Sequence, residues 1–152
     1  MDCVILIGLP ASGKSTFYRE RFAATHDLVS KDAMRHNRQP QRRQEQLIAE
    51  ALAAGRSVVV DNTNPRVTDR ASIIAIARRF GADVAGYFFP TEAQVALRRN
   101  RARQGRDRVP DVAIFVARKR FELPTYAEGF DHLFIVIVKE ETRAFDVHLQ
   151  AR

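Results

Sequence analysis

A glycine-containing loop between an apolar strand and a helix constrains this fold more than any other part of the chain. The run "CVILI" at residues 3–7 is short, continuous and rich in Val and Ile. Such a run is typical of a strand that is buried on both faces of a parallel sheet. The loop "GLPASGKST" follows at residues 8–16, and the helical stretch "FYRERFAAT" comes next. This strand–loop–helix unit predicts an α/β fold.

The loop matches the pattern G-x-x-x-x-G-K-[ST], with Gly8, Gly13, Lys14 and Ser15 in the fixed places. Glycines allow a tight turn whose backbone N–H groups converge on phosphate oxygens, and the following helix directs its positive end at the same anion. We expect Lys14 to be exposed and to reach the β- and γ-phosphates of ATP, and the Ser15 hydroxyl to bind Mg²⁺. The loop residues predicted to contact the nucleotide are Gly8, Pro10, Ala11, Ser12, Gly13, Lys14, Ser15 and Thr16.

Composition restricts the class of protein further. The chain has 152 residues, which predicts one domain over residues 1–152. Its one cysteine, Cys3, cannot form an intramolecular disulfide, and the sequence shows neither a leader peptide nor an apolar run of membrane-spanning length. We therefore expect a soluble cytoplasmic protein without a membrane partner. The formal net charge of +7 favours an anionic partner besides the nucleotide.

Strand and helix patterns alternate along the chain. This alternation predicts a P-loop NTPase fold with a parallel sheet of about five strands and helices on both faces. The last segment, "ETRAFDVHLQAR", is expected to add a terminal helix. In such sheets ligands bind beyond the carboxyl ends of the strands, so the polar residues after each strand should share one crevice.

Two strand ends carry candidate catalytic groups. After the second strand, Asp32 and Arg35 lie three apart in "SKDAMRHN", a spacing that places both on one face of a helix. A carboxylate there would accept the proton of an acceptor hydroxyl, and an arginine would bind an acceptor phosphate. Asp61 follows three valines in "VVVDNTN", where it would hold Mg²⁺. The alternative for Asp32 and Arg35 is an aspartate near a helix N-terminus and a solvated arginine. The alternative for Asp61 is an aspartate that starts a turn.

An arginine-rich segment, "LRRNRARQGRDRVP", is expected to form a lid over about residues 99–109. Arg99 and Arg103 lie four apart and should share a helix face, and Gly105 should loosen the chain. An arginine placed over the transferring phosphoryl group contributes about 10³- to 10⁵-fold in rate. A solvated basic face would explain the same run.

The sequence resembles the P-loop kinase module of 5′-hydroxyl polynucleotide kinases. The similarity is carried by "GLPASGKST", "KDAMR", "VVVDNTN", "RRNRAR" and "RFELPTYAEGFD". It implies ATP and Mg²⁺ as cofactors, DNA or RNA 5′-hydroxyl ends, single-stranded, as acceptor, and Lys14, Asp32 and Arg103 as catalytic residues. The resemblance further implies nucleotide contact by Arg99, acceptor contact by Asp32, Arg35, Asn62 and Thr63, and metal binding by Ser15 and Asp61.

The chain departs from the family pattern in the lid, where Gln104 separates Arg103 from Gly105. Arg99, Arg101 or Arg106 are therefore alternative lid arginines. Any role in nucleic acid repair is implied by the kinase module alone. Two other functions share the loop: a kinase of a small hydroxylated metabolite or antibiotic, and a nucleotide-dependent switch without an acceptor. Asp32 argues against the switch, because hydrolysis needs no base beside an acceptor pocket.

Overall fold

The computed structural model describes all 152 residues of the chain, and they form six strands and five α-helices. The strands are β1 (Asp2–Gly8), β2 (Asp27–Val29), β3 (Val58–Asp61), β4 (Asp83–Phe89), β5 (His132–Val138) and β6 (Phe145–Leu149). The α-helices are α1 (Lys14–Arg21), α2 (Pro40–Ala53), α3 (Val67–Arg79), α4 (Ala93–Arg101) and α5 (Asp111–Arg120). Short 3₁₀ turns occupy Lys31–Met34, Gly105–Asp107 and Tyr126–Glu128. None of the helices combines the length and apolar character that a membrane crossing requires.

The sheet has the strand order β2-β3-β1-β4-β5-β6 and is parallel from β2 to β5. β1 is central: it pairs with β3 in a register that sets Leu6 opposite Asp61, and with β4 in a register that sets Gly8 opposite Phe89. The chain runs from β1 out to β2, returns to β3 beside β1, and then crosses to β4 on the other side of β1. A ligand crevice opens at such a reversal, beyond the carboxyl ends of the strands.

Both faces of the sheet are covered, as expected. On one face, Ile48 of α2 and Ile73 of α3 are fully buried against the strands. On the other, Phe17 of α1 packs against Phe89 and Phe145 with ring centroids 5.3 and 5.1 Å apart. The aromatic face anchors α1, and with it the loop that precedes this helix.

The predicted terminal helix is wrong. Phe145–Leu149 is instead a strand, β6, which pairs antiparallel with β5 and sets Phe145 opposite Val138. The sequence "FDVHL" alternates apolar and polar residues, which is the strand period and not the helical one. The β5–β6 hairpin reaches the loop, because a Cβ on Gly13 would lie 3.3 Å from Val138 and 3.4 Å from Phe145.

A buried ion pair holds the segment that follows β3. The guanidinium of Arg70 is fully buried and donates to both carboxylate oxygens of Glu128, at 2.7 and 3.0 Å. Its remaining donor, Nη1, bonds to the carbonyl of Asn64 at 2.9 Å. Asn64 has a positive φ of 46° and donates from its side chain to the carbonyl of Leu6 at 2.8 Å. The ion pair therefore fixes the loop after Asp61 against β1.

We predict that Glu128→Ala destabilises the fold by about 3–5 kcal/mol, because it leaves the buried Arg70 charge without its partner. Urea unfolding measures this difference. Glu122→Ala is the control: this side chain is exposed and makes no ion pair, so its effect should stay within about 0.5 kcal/mol. Equal stability of the two variants would contradict a supporting role for the pair.

Candidate active site

Lys14 lies inside the glycine-containing loop. Its Nζ donates to the carbonyls of Gly8 at 3.0 Å and Leu9 at 2.7 Å, and it lies 3.4 Å from the hydroxyl of Ser12. The residue is only 7% exposed, so the expectation of an exposed lysine is wrong. The loop wraps its own carbonyl oxygens around the ammonium group, which sequence periodicity does not reveal.

The glycines of the loop have specific steric reasons. A Cβ on Gly8 would lie 2.9 Å from the Ser12 hydroxyl and 3.1 Å from Phe89 of the neighbouring strand, where no side chain fits. Gly13 has a φ of 103° and Ala11 a φ of 64°, so the loop turns twice through the left-handed region. Its backbone N–H groups precede α1, which begins at Lys14. This arrangement is an anion-binding concavity.

Several charges act on Lys14. Burial lowers the pKa of its ammonium group to about 8, while the carboxylates of Asp61 and Asp32 oppose this shift and the guanidinium of Arg103 adds to it. These groups come from separate segments of the chain. The fold thus brings Asp61, Asp32 and Arg103 within electrostatic range of Lys14.

Ser15 and Asp61 meet at the junction of the loop and β3. The Ser15 hydroxyl donates to the Asp61 carboxylate at 2.7 Å, and Asp61 is 8% exposed. Mg²⁺ is commonly held by one or two protein oxygens together with substrate phosphates and water. One hydroxyl and one carboxylate oxygen beside an anion-binding loop fit that requirement.

Asp32 lies on the Lys31–Met34 turn, not on the α-helix the spacing suggested, and Arg35 directly follows the turn. Side chains three apart in a 3₁₀ turn lie above one another, so the two still share a side. Both are exposed, and the Asp32 carboxylate makes no hydrogen bond or ion pair within the protein. Arg35 donates to the carbonyl of Arg106 in the lid at 3.1 Å.

Asn62 holds the Asp32 turn in place. Its Oδ1 accepts from the backbone N–H of Lys31 at 2.9 Å, and its Nδ2 donates to the side-chain oxygen of Gln44 at 2.6 Å. Gln44 is 1% exposed and was not singled out from the sequence. The available signal was its position on the apolar stripe of α2, four residues before Ile48. Thr63 accepts the backbone N–H of Gly8 through its carbonyl at 3.1 Å, which ties the same segment to the loop.

The lid differs from the expectation in one respect. Helix α4 ends at Arg101, so Arg103 lies beyond it and does not share a helix face with Arg99. Asn100 is fully buried and bonds to Val109 at the far end of the lid. Its Nδ2 donates to the carbonyl of Val109 at 2.6 Å, and its Oδ1 accepts the Val109 N–H at 3.0 Å. One asparagine therefore joins the two ends of the lid. It is a second residue that sequence patterns missed.

The lid arginines have different surroundings. Arg99 pairs with Glu140 of the β5–β6 turn at 2.5 Å, and its side chain is 10% exposed. Arg103 donates to the carbonyl of Asp107 at 3.2 Å and is the lid arginine whose charge acts on Lys14. Arg101 pairs with Asp111 at 3.5 Å. Arg103 is thus the lid arginine with an electrostatic effect on Lys14, whereas Arg99 is tied to the hairpin.

The fold and the loop define a P-loop nucleotide-binding domain of the kinase class. A family model described as an AAA domain, AAA_33, matches residues 3–124. The chain belongs to this family of P-loop kinase domains, as the motifs suggested.

Two curated proteins and one solved structure illustrate the similarity. The chain is 30% identical over 138 residues to the bifunctional polynucleotide phosphatase/kinase of Schizosaccharomyces pombe. The aligned region covers 87% of this chain and 32% of that protein. The chain is 30% identical over 141 residues to the putative bifunctional polynucleotide phosphatase/kinase of Acanthamoeba polyphaga mimivirus, with the same shares of 87% and 32%. The chain therefore spans about a third of the length of these relatives, 32% in each.

A gluconokinase from Sinorhizobium meliloti 1021 has a similar structure, with a TM-score of 0.67 and 21% identity over 91% of this chain and 83% of that one. At this level of identity the likeness shows the fold alone.

We predict that the affinity for a nucleoside triphosphate falls as pH rises above about 8. The bound phosphates favour charged Lys14, so its pKa is higher in the complex than the value of about 8 in the free protein. Binding is then strongest below pH 8 and loses up to about tenfold per pH unit above it. Titration calorimetry between about pH 7 and pH 9.5 measures this dependence. Lys14→Ala should bind weakly with a flat profile, and a flat profile for the unmodified protein would contradict the assignment.

Proposed function

We propose that the chain is an ATP- and Mg²⁺-dependent kinase that transfers the γ-phosphate of ATP to the 5′-hydroxyl end of a DNA or RNA strand. The observation that carries this proposal is that Asp32, on the turn after β2, and Arg35, directly after that turn, share one side, with the Asp32 carboxylate within electrostatic range of the P-loop lysine. The similarity to two polynucleotide phosphatase/kinases supports it. Residues 1–152 would act as one catalytic domain.

The donor half of the site is the loop. Its backbone N–H groups and the Lys14 ammonium bind the β- and γ-phosphates, and Thr16 and Arg99 flank the nucleotide. Ser15 and Asp61 would hold Mg²⁺, whose charge neutralises the phosphates. The Arg103 guanidinium stabilises the charge that develops on the transferring phosphoryl group.

The acceptor half is the Lys31–Met34 turn. The Asp32 carboxylate accepts the proton of the 5′-hydroxyl while the O5′–Pγ bond forms and the bond from Pγ to the leaving ADP oxygen breaks. Arg35 binds the phosphate on the 3′ side of the terminal nucleoside. Asn62 holds this turn through the backbone N–H of Lys31, and Thr63 holds the loop through the backbone N–H of Gly8.

A labelling panel tests the proposal. The protein is incubated with γ-labelled ATP, Mg²⁺ and, in separate reactions, 5′-hydroxyl oligonucleotides, nucleosides and small sugars. We expect label in the oligonucleotides. Label confined to a sugar or another small metabolite would show a small-molecule kinase, and ATP hydrolysis without any labelled acceptor would show a nucleotide switch. Either result would overturn the proposal.

Asp32 and Arg35 should differ in kinetic effect. Asp32→Asn removes a proton acceptor that acts in the transition state, so we predict that kcat falls about 10²- to 10⁴-fold at nearly unchanged acceptor KM. Arg35→Ala removes a contact made in both ground and transition states. Its loss should mainly raise KM, with kcat/KM about 10- to 150-fold lower.

The control for this comparison is a plain nucleoside acceptor, which has no phosphate for Arg35 to bind. Steady-state kinetics with nucleoside and with nucleoside 3′-monophosphate separate the two roles. Equal losses of kcat in both variants on both acceptors would show that the pair is structural.

A further inference from the structure

Three arginines line a cleft that the proposed transfer reaction does not use. The cleft has a volume of about 300 Å³ and lies at the start of α2 and in the loop before it. We call it the arginine cleft; its lining residues are Asn37, Arg38, Gln39, Arg42, Arg43 and Gln46. All of these side chains are polar or cationic, and none is acidic.

The positive charge of the arginine cleft is almost uncompensated. Arg38 and Arg42 are exposed and form no ion pair, and Arg43 approaches Glu50 only at 4.0 Å. By contrast, Arg56, Arg78 and Arg99 each pair with a carboxylate at 2.8 Å or less. Three neighbouring guanidinium groups that share a single distant carboxylate favour an anion from outside the chain, and their planar donors suit phosphate.

An apolar pocket of about 480 Å³ adjoins the arginine cleft and shares Asn37 and Arg43 with it. Ala33, Met34 and Leu47 contribute apolar surface, and His36 also lines the pocket. Bases of single-stranded nucleic acid bind to flat apolar and aromatic surfaces while basic side chains follow the phosphates. A pocket of this kind beside a cationic cleft fits a nucleotide, which joins a flat base to a phosphate.

The position of the arginine cleft links it to the acceptor site. Arg38 follows Arg35 by three residues, so their Cα atoms are at most about 11 Å apart, at about 3.8 Å per step. Ala33 and Met34 line the apolar pocket, whereas Asp32 and Arg35 on the same turn do not. The pocket therefore lies directly beside the proposed catalytic groups, because Ala33 and Met34 immediately follow Asp32 and precede Arg35 in the chain.

We propose that the arginine cleft binds the phosphates of the acceptor strand beyond the first one, and that the apolar pocket holds one of its bases. This inference rests on the proposed kinase function and deepens it. It makes the enzyme select a strand over a nucleoside through residues that take no part in the chemistry. DNA and RNA share the phosphate chemistry, so both are tested.

The experiment compares two acceptors: nucleoside 3′-monophosphate, which reaches only Arg35, and a 5′-hydroxyl strand of about ten nucleotides, as DNA and as RNA. The measured quantity is the ratio of kcat/KM for the strand to kcat/KM for the monophosphate. The double variant Arg38→Gln/Arg42→Gln should lower this ratio about 2- to 30-fold, the effect of two exposed ion pairs. The slope of log(kcat/KM) for the strand against log salt should become shallower by about 1.4.

Two variants control for charge and fold. Arg56→Gln/Arg79→Gln removes the same net charge. Arg56 and Arg79 precede β3 and β4, so they lie at the amino ends of the strands and not at the carboxyl ends, where the site lies. This variant should leave the ratio unchanged. Arg38→Lys/Arg42→Lys keeps the charge and should keep most of the salt slope. An unchanged ratio in the Arg38/Arg42 glutamine variant, or an equal loss in the Arg56/Arg79 variant, would overturn the role of the arginine cleft. Either result would leave the proposed kinase function standing. An unmodified protein that labels no oligonucleotide would overturn the proposed function, and the cleft assignment with it.

Discussion

The parallel pairing of β1 with β3 is the constraint on which the rest of the site depends. Its register sets Leu6 opposite Asp61, so the loop that follows β1 and the carboxylate that ends β3 emerge at the same edge of the sheet. The hydrogen bond of 2.7 Å from Ser15 to Asp61 is the direct consequence. A one-residue slip would turn Asp61 to the other face of the sheet and remove it from the loop.

The site is held by polar contacts that lie outside its reacting groups. Gln44 and Asn62 hold the Asp32 turn, the buried Arg70–Glu128 pair holds the segment after Asp61, and Asn100 closes the lid. These polar groups are buried or half-buried and have their partners satisfied, which is the condition under which such groups stiffen a structure. The Asp32 carboxylate has no protein partner, which suits the proton-accepting role proposed for it.

Much of this arrangement could be predicted from the sequence, because it depends on local patterns. The loop glycines, the buried valines before Asp61 and the alternation of strands and helices are written in short segments. The contacts of Gln44 with Asn62 and of Arg99 with Glu140 join residues far apart in the chain, and no local pattern specifies them. The position of Arg103 depends on where α4 ends and on the hydrogen bonds between Asn100 and Val109, which are nine residues apart. In β6, the alternation of apolar and polar residues over Phe145–Leu149 is a local signal that favours a strand over the helix expected there.

In the proposed reaction the phosphoryl group goes to a 5′-oxygen. The position of the phosphate in the product tests this transfer most directly. A 5′-hydroxyl oligonucleotide is phosphorylated with γ-labelled ATP and then digested completely to nucleoside 5′-monophosphates. We predict that all label is recovered in the monophosphate of the 5′-terminal nucleoside. Label at a 3′ or 2′ oxygen, or only in released phosphate, would contradict it.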